Sequence, residues 1–221
     1  MYAVGVDGII ATADTIDDLL LLEVLNDRAV VAALTAAPLG RGPQVRFSGF
    51  DPHAAVDVRV EGGYLRFPVT PTTMASPAFE RLVEAFNTLG AGNAAAVVEP
   101  TCWCGDDAEP IPDHSVDGYI RALAAMAATG ARSHAVWAIV PYGEGPEQVR
   151  ELARASLIPL LLRFAPEDDI ADRDRVLAAL RIPGVRGAVV SAATLYPPSG
   201  HPCSRLEQLG RLVHLDDANR P

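Results

Sequence analysis

The chain has 221 residues, the size of one domain, and its 49% apolar and 21% charged content excludes extensive disorder. A formal net charge of −10 opposes binding to nucleic acid or to an anionic membrane, since both need a basic face. The sequence contains no lysine, so no Schiff base, pyridoxal-phosphate linkage or Walker-type nucleotide site can be built on these residues. Acid–base work falls to carboxylates, histidine, tyrosine or cysteine, because arginine holds its proton near neutral pH.

Met1–Gly8 lacks the positive start of a secretory signal and reaches Asp7 almost at once. No apolar run approaches the roughly 18 residues that a membrane span needs. Three cysteines are too few for a disulfide framework and fit a reducing compartment, so the expected location is cytoplasmic.

Tyr2–Val6 and Gly8–Ala11 form a first apolar run broken by Asp7. Thr12–Asp18 supplies cap-type residues and Leu19–Leu25 completes an amphipathic helix, with Leu19–Leu22 expected in the core or at an oligomer contact. Ala29–Leu34 is the next apolar run. Gln44–Phe47, Ala55–Val60 and Tyr64–Val69 then alternate in character and are separated by turn residues, which predicts hairpins. From Ser76 a regular rhythm sets in. Ser76-Pro77 opens a helix over Ala78–Leu89, strand Ala94–Glu99 follows, and Pro100–Asp113 is a polar loop. Helix Ser115–Thr129, strand His134–Val140, helix Pro146–Ala155, strand Leu157–Phe164, helix Glu167–Leu180, strand Gly187–Ser191 and helix Cys203–Val213 complete the chain.

Apolar runs of this kind, without polar alternation, suit strands buried on both faces between helices. The pattern predicts an α/β fold, a TIM-type (β/α)8 barrel over a single domain 1–221, irregular or reduced in its first half. An open doubly wound sheet is the alternative. Glu99 ends an apolar strand, which places a carboxylate at the C-terminal rim where such barrels hold their active sites. Asp7 has the same reading if its strand ends there. Tyr142 and Arg163, after two later strands, point to the same rim. Cys102-Trp-Cys104, with Asp106, Asp107 and His114, admits a metal site, a reactive thiol or an inert loop. No full metal-ligand set is apparent, and none is expected. His134 reads as structural, and His53, His201 and His214 have no spacing partner.

Residues 114–196 resemble the later part of the barrel in the histidine-biosynthesis HisA/HisF family of phosphoribosyl isomerases and cyclases. The resemblance rests on Leu180-Arg-Ile-Pro-Gly-Val-Arg-Gly-Ala-Val-Val-Ser-Ala-Ala-Thr-Leu-Tyr196, which looks like that family's last strand and phosphate loop. Ser156-Leu-Ile-Pro159 and Glu167-Asp-Asp169 look like its seventh strand and following helix. It implies a cofactor-independent isomerase or lyase acting on a small phosphorylated or otherwise anionic metabolite. Asp7 and Glu99 would be the catalytic pair, and Thr70, Arg163, Ser191 and Ala192 would contact substrate. The family's phosphate glycines are replaced, notably by Arg163-Phe-Ala-Pro166 and Ser191, so a catalytically silent barrel serving in binding or assembly is the rival reading. A different alignment sets Gly5–Ala13 on the family's fourth strand and puts Asp7 at the wrong end. In the isomerase reading, Glu99 in its apolar strand is the acid, with a raised pKa, and Asp7 is the base.

Overall fold

A computed structural model describes residues 5–36, 45–48, 50–70, 77–105, 110–129, 135–166, 168–195 and 204–217. The chain opens with β1 (Gly8–Ala11), α1 (Ala13–Leu21) and β2 (Ala29–Ala33), followed by a short antiparallel ribbon, β3 (Thr35–Ala36) with β4 (Arg46–Phe47). Next come α2 (Pro52–Asp57), β5 (Gly62–Val69), α3 (Pro77–Ala91) and β6 (Ala95–Cys104), whose far end turns back into β7 (Ile111–Pro112). Helix α4 (Val116–Ala127), β8 (Val136–Pro141), α5 (Pro146–Ala155), β9 (Leu160–Phe164), α6 (Arg173–Leu180) and β10 (Val185–Val190) continue the alternation. The described part ends with α7 (Ala192–Leu195) and α8 (Ser204–Asp217).

The main sheet runs β1-β2-β5-β6-β8-β9-β10 in chain order, every neighbouring pair parallel. This is the curled sheet of a TIM-type fold. Among the described residues β1 and β10 do not pair. Instead α8 bridges them: it packs near β10, and its Gly210 lies so close to Gly5 that a Cβ there would meet the Gly210 Cα at 3.0 Å.

Two local departures from the sequence pattern have clear causes. Ala55–Val60 is not a strand: the Asp51 side chain accepts a hydrogen bond from the Ala54 N–H at 2.8 Å, Pro52 sets the first helical turn, and α2 forms instead. The supposed hairpins are thus one βαβ unit, with β5 parallel to β2. Helix α6 starts six residues later than the pattern suggests, because the Asp172 carboxylate caps it by accepting from the Arg175 N–H at 3.1 Å. The Pro100–Asp113 loop is also shorter than expected, since β6 continues to Cys104. Of the leucine run, Leu20, Leu21 and Leu22 are exposed, and Leu19 alone packs against the core.

Period-two alternation divides the sheet into two faces. Leu65 and Phe67 of β5, Ala96 and Val98 of β6, Val140 of β8, and Leu160, Leu162 and Phe164 of β9 share the main core with Leu89, Leu123, Leu152 and Val176 of the helices. The intervening residues of the same strands, among them Tyr64, Arg66, Val97, Glu99, Ile139 and Arg163, face the other way, toward the inside of the curl. Most of that set is not apolar.

Candidate active site

Strand pairing puts Arg66 of β5 directly beside Glu99 of β6. Tyr64 lies two residues before Arg66, on the same face. Arg163, next to last in β9, reaches across β8 to the same carboxylate. The Tyr64 hydroxyl donates to Glu99 Oε2, and Arg163 Nη1 donates to Glu99 Oε1. Arg66 Nη2 stands 3.9 Å from Oε1, an ion-pair distance without a hydrogen bond. The backbone of Arg66 is fixed separately, its N–H donating to the hydroxyl of buried Thr35 at 2.6 Å.

Glu99 is only 9% exposed, whereas the side chains of Arg66 and Arg163 are 37% and 34% exposed. A carboxylate buried to this degree requires partners, and these two guanidiniums and one phenol supply them. Burial, and then the neighbouring Glu99 charge and hydrogen bond, push the Tyr64 phenol well above its usual range, against the opposing pull of the two arginines. Tyr64 therefore keeps its proton. Two guanidiniums against one carboxylate and a neutral phenol leave the cluster one net positive charge. One rung above, Thr101 Oγ1 donates to the Phe67 carbonyl at 3.4 Å, and the Trp103 indole N–H donates to Thr101 Oγ1 at 3.4 Å. The site thus sits on the inner face at mid-strand on β5 and β6, so Glu99 does not end its strand as the sequence pattern suggests.

The structure brings Glu99 and Arg163 together and separates them from Asp7. Asp7 precedes β1 instead of ending a strand; its side chain is 74% exposed and lies 3.4 Å from His214 Nε2 of α8. The register Gly8↔Ala29, Val31↔Gly62, Gly62↔Ala95 sets it seven residues, about 23 Å, below Glu99 along the strands, at roughly 3.3 Å per residue. A shared proton relay is out of reach at that separation. The surroundings of Glu99 are also not apolar: Oε2 accepts from Tyr64 and Oε1 from Arg163. Thr70 directly follows β5, Ser191 directly follows β10, and Ala192 begins α7, so all three lie at C-terminal strand ends. Ser191 Oγ is 3.1 Å from Thr194 Oγ1.

Tyr142 does not face the site; it is buried and stacks on the outward-facing Phe164, ring centroids 4.6 Å apart. Cys102 is a core residue whose thiol burial, with the nearby Asp113 charge, pushes up to about 12, while Cys104 is exposed. Asp106, Asp107, His134, His201 and Cys203 lie outside the described residues. Among those described, no group of three His, Cys, Asp or Glu side chains is placed to hold a metal. Likewise, no described helix is long and apolar enough to cross a membrane. Tyr64 and Arg66 were not singled out from sequence; their signal was the polar member at every second position of an otherwise apolar strand.

Fold and site together define a TIM-type α/β protein carrying a buried, cationic Glu–Tyr–Arg cluster on the inner face of its sheet. The chain belongs to the Cgl0159-like family, whose model matches residues 1–208. It is similar to the crystal structure of Cgl0159 from Corynebacterium glutamicum (Brevibacterium flavum), with 28% identity over 96% of this chain and 72% of that one, at a TM-score of 0.80. In fold it is also similar to an archaeal fructose 1,6-bisphosphate aldolase (14% identity, 94% and 78% of the two chains, TM-score 0.68). A third similar structure is 3-keto-L-gulonate-6-phosphate decarboxylase from Vibrio cholerae (12% identity, 97% and 87%, TM-score 0.53). No curated protein matches the sequence.

The family match overturns the HisA/HisF resemblance, and with it the phosphoribosyl and histidine-biosynthesis readings. The resemblance rested on a short glycine-and-valine strand followed by a loop, a pattern that any parallel strand feeding a phosphate-binding turn can produce.

Proposed function

We propose that this protein is a lyase- or isomerase-type enzyme that moves a proton on a small phosphorylated or otherwise anionic metabolite, with Glu99 as the transferring group. The observation that carries this reading is the buried carboxylate on the inner face, held by Tyr64 and Arg163 and surrounded by excess positive charge. Each carboxylate oxygen has more than one lone pair, so Glu99 can accept a substrate proton while keeping both present partners. Arg163 then acts as orienter, fixing the carboxylate for the transfer, instead of as the direct substrate contact that the resemblance implied. The net positive charge selects anions. Thr70, Ser191 and the backbone at Ala192 line the strand ends where the rest of such a metabolite would lie.

Two proteins of similar fold are named for action on phosphorylated sugars, as an aldolase and a decarboxylase. Aldol cleavage through a Schiff base is not open to these 221 residues, which have no lysine to form it. Proton transfer by a carboxylate is.

One observation favours the second reading, a silent barrel used for binding or assembly: both Glu99 oxygens are already engaged within the protein. The two readings separate when a panel of sugar phosphates and small carboxylates is screened by thermal shift, and each binder is then assayed for conversion by wild type and by Glu99→Gln. The enzyme reading expects a bound compound to be converted, with turnover about 10²–10⁴-fold lower in the variant. Binding without conversion of any compound supports the silent barrel.

A further inference from the structure

The two arginines of the cluster are not equivalent. Arg163 spends its guanidinium on Glu99. Arg66, directly beside Glu99 in the strand register, makes no side-chain hydrogen bond among the described residues. Its Nε is buried without an acceptor, and its Nη2 stops 3.9 Å short of Glu99 Oε1. A guanidinium carries five donors in a planar fork suited to a two-oxygen anion. Leaving Nε without an acceptor costs stability, since buried donors normally find partners. Arg66 is nevertheless anchored: its backbone N–H is fixed by Thr35, and its side chain is a little over one-third exposed. It is a cation held in place with its acceptor missing.

The spacing favours a short acceptor. Arg66 Nη2 stands 3.9 Å from Glu99 Oε1, close enough for one small substrate to set a carbonyl or carboxylate oxygen on Arg66 and the carbon one or two bonds away against Glu99. The terminal phosphate of a sugar phosphate, several bonds from its reacting C–H, suits this spacing less well.

We propose that Arg66 holds the oxygens of a 2-oxo carboxylate at the reacting end of the substrate, and that it takes up the enolate charge formed there. This rests on the proton-transfer reading of Glu99 and narrows it to a substrate class. The step balances within the site. Glu99 takes the proton from the carbon next to the carbonyl, so a C–H bond breaks and an O–H bond forms. The freed electron pair becomes the C=C bond of the enolate, and the carbonyl π pair moves onto oxygen, facing Arg66. Return of the proton restores the carbonyl. Charge developing against a fixed guanidinium is stabilised most where water is excluded, and buried Glu99 marks such a place.

The test uses oxalate, the planar mimic of a 2-oxo acid enolate, and inorganic phosphate, each titrated calorimetrically into the full-length wild type, Arg66→Gln and Arg66→Lys. The expected result is oxalate binding by wild type, at least tenfold weaker binding by Arg66→Gln and partial recovery in Arg66→Lys, with phosphate a poorer ligand throughout. Unchanged oxalate affinity in Arg66→Gln overturns the proposal. So does a wild type that binds phosphate in preference to oxalate, and that outcome leaves the anion-binding enzyme reading standing. If neither probe binds, the 2-oxo acid assignment falls and the metabolite screen alone decides the broader reading. Should Arg66→Gln not fold, the oxalate-against-phosphate preference of the wild type still decides.

Discussion

Removing Arg163 or Glu99 tests the cluster as a physical unit before any substrate is known. A guanidinium and a carboxylate about 4 Å apart attract by roughly 4 kcal/mol at an effective dielectric of 20. Desolvation of Glu99 and loss of side-chain freedom offset much of this, and Arg163 is about one-third exposed, which discounts it further. Arg66, already 3.9 Å away, can also swing toward the vacated oxygen. Arg163→Gln should therefore cost about 1–3 kcal/mol of folding stability, below the usual cost of breaking a fully buried pair. Glu99→Gln leaves two guanidiniums facing each other without a counter-charge and should cost about as much or more. Because each change removes the same contact, the double variant should be less damaged than the sum, with a coupling of about 1–2 kcal/mol. For a chain of this size each kcal/mol lowers the melting temperature by about 2–4 °C. Arg66→Gln, which breaks no hydrogen bond, should cost the least of the three. Urea unfolding followed by circular dichroism gives all four values. A coupling below about 0.3 kcal/mol, or an Arg66→Gln that is more destabilised than Arg163→Gln, would refute the geometry assigned to the cluster.

Further outcomes follow from packing, titration and thiol exposure. A Cβ on Gly62 would meet the Ala95 carbonyl oxygen of the neighbouring strand at 2.8 Å, and neither backbone can yield, so Gly62→Ala should lose about 1–3 kcal/mol in the same urea assay. Phe164 is fully buried and stacked on Tyr142, and Phe164→Ala should cost about 3–5 kcal/mol; a loss under 1 kcal/mol would deny the core described here. The Cys102 thiol is raised from 9.0 to about 12 in the folded state, chiefly by burial. The folded protein then holds a proton that the unfolded chain releases, so the associated stability is complete below pH 9 and drains away as pH rises toward 12. Cys102→Ala should flatten that alkaline limb. In the native protein at pH 8, alkylation mapped by mass spectrometry should label Cys104 far faster than Cys102.

The strands of the second half were legible because each is a short apolar run bounded by turn residues, and buried parallel strands need little else. The front half was harder. Ala55–Val60 carries too few residues to display a helical period, and the deciding signal was the Asp51-Pro52 cap just upstream. That error concealed half of the site. In a hairpin, polar residues at alternate positions face water; in a parallel strand inside a curled sheet the same positions, Tyr64 and Arg66, face the interior. Glu99 and Arg163 were legible as lone charges in apolar runs, a costly placement unless something pairs with them. Asp7 misled because Tyr2–Val6 reads as a strand ending there, whereas the paired strand begins at Gly8. No local pattern gives the register between strands, and register is what separates Asp7 from Glu99 and places Arg66 beside it.

Solvent-deuterium exchange tests the central claim most directly. Small anionic carbonyl compounds are incubated with the protein in deuterated buffer, and loss of the proton next to the carbonyl is followed by NMR in wild type and in folded Glu99→Gln. Wild type is expected to exchange at least one 2-oxo acid, and the variant to do so about 10²–10⁴-fold more slowly. Exchange at the same rate in both proteins would contradict the role given to Glu99.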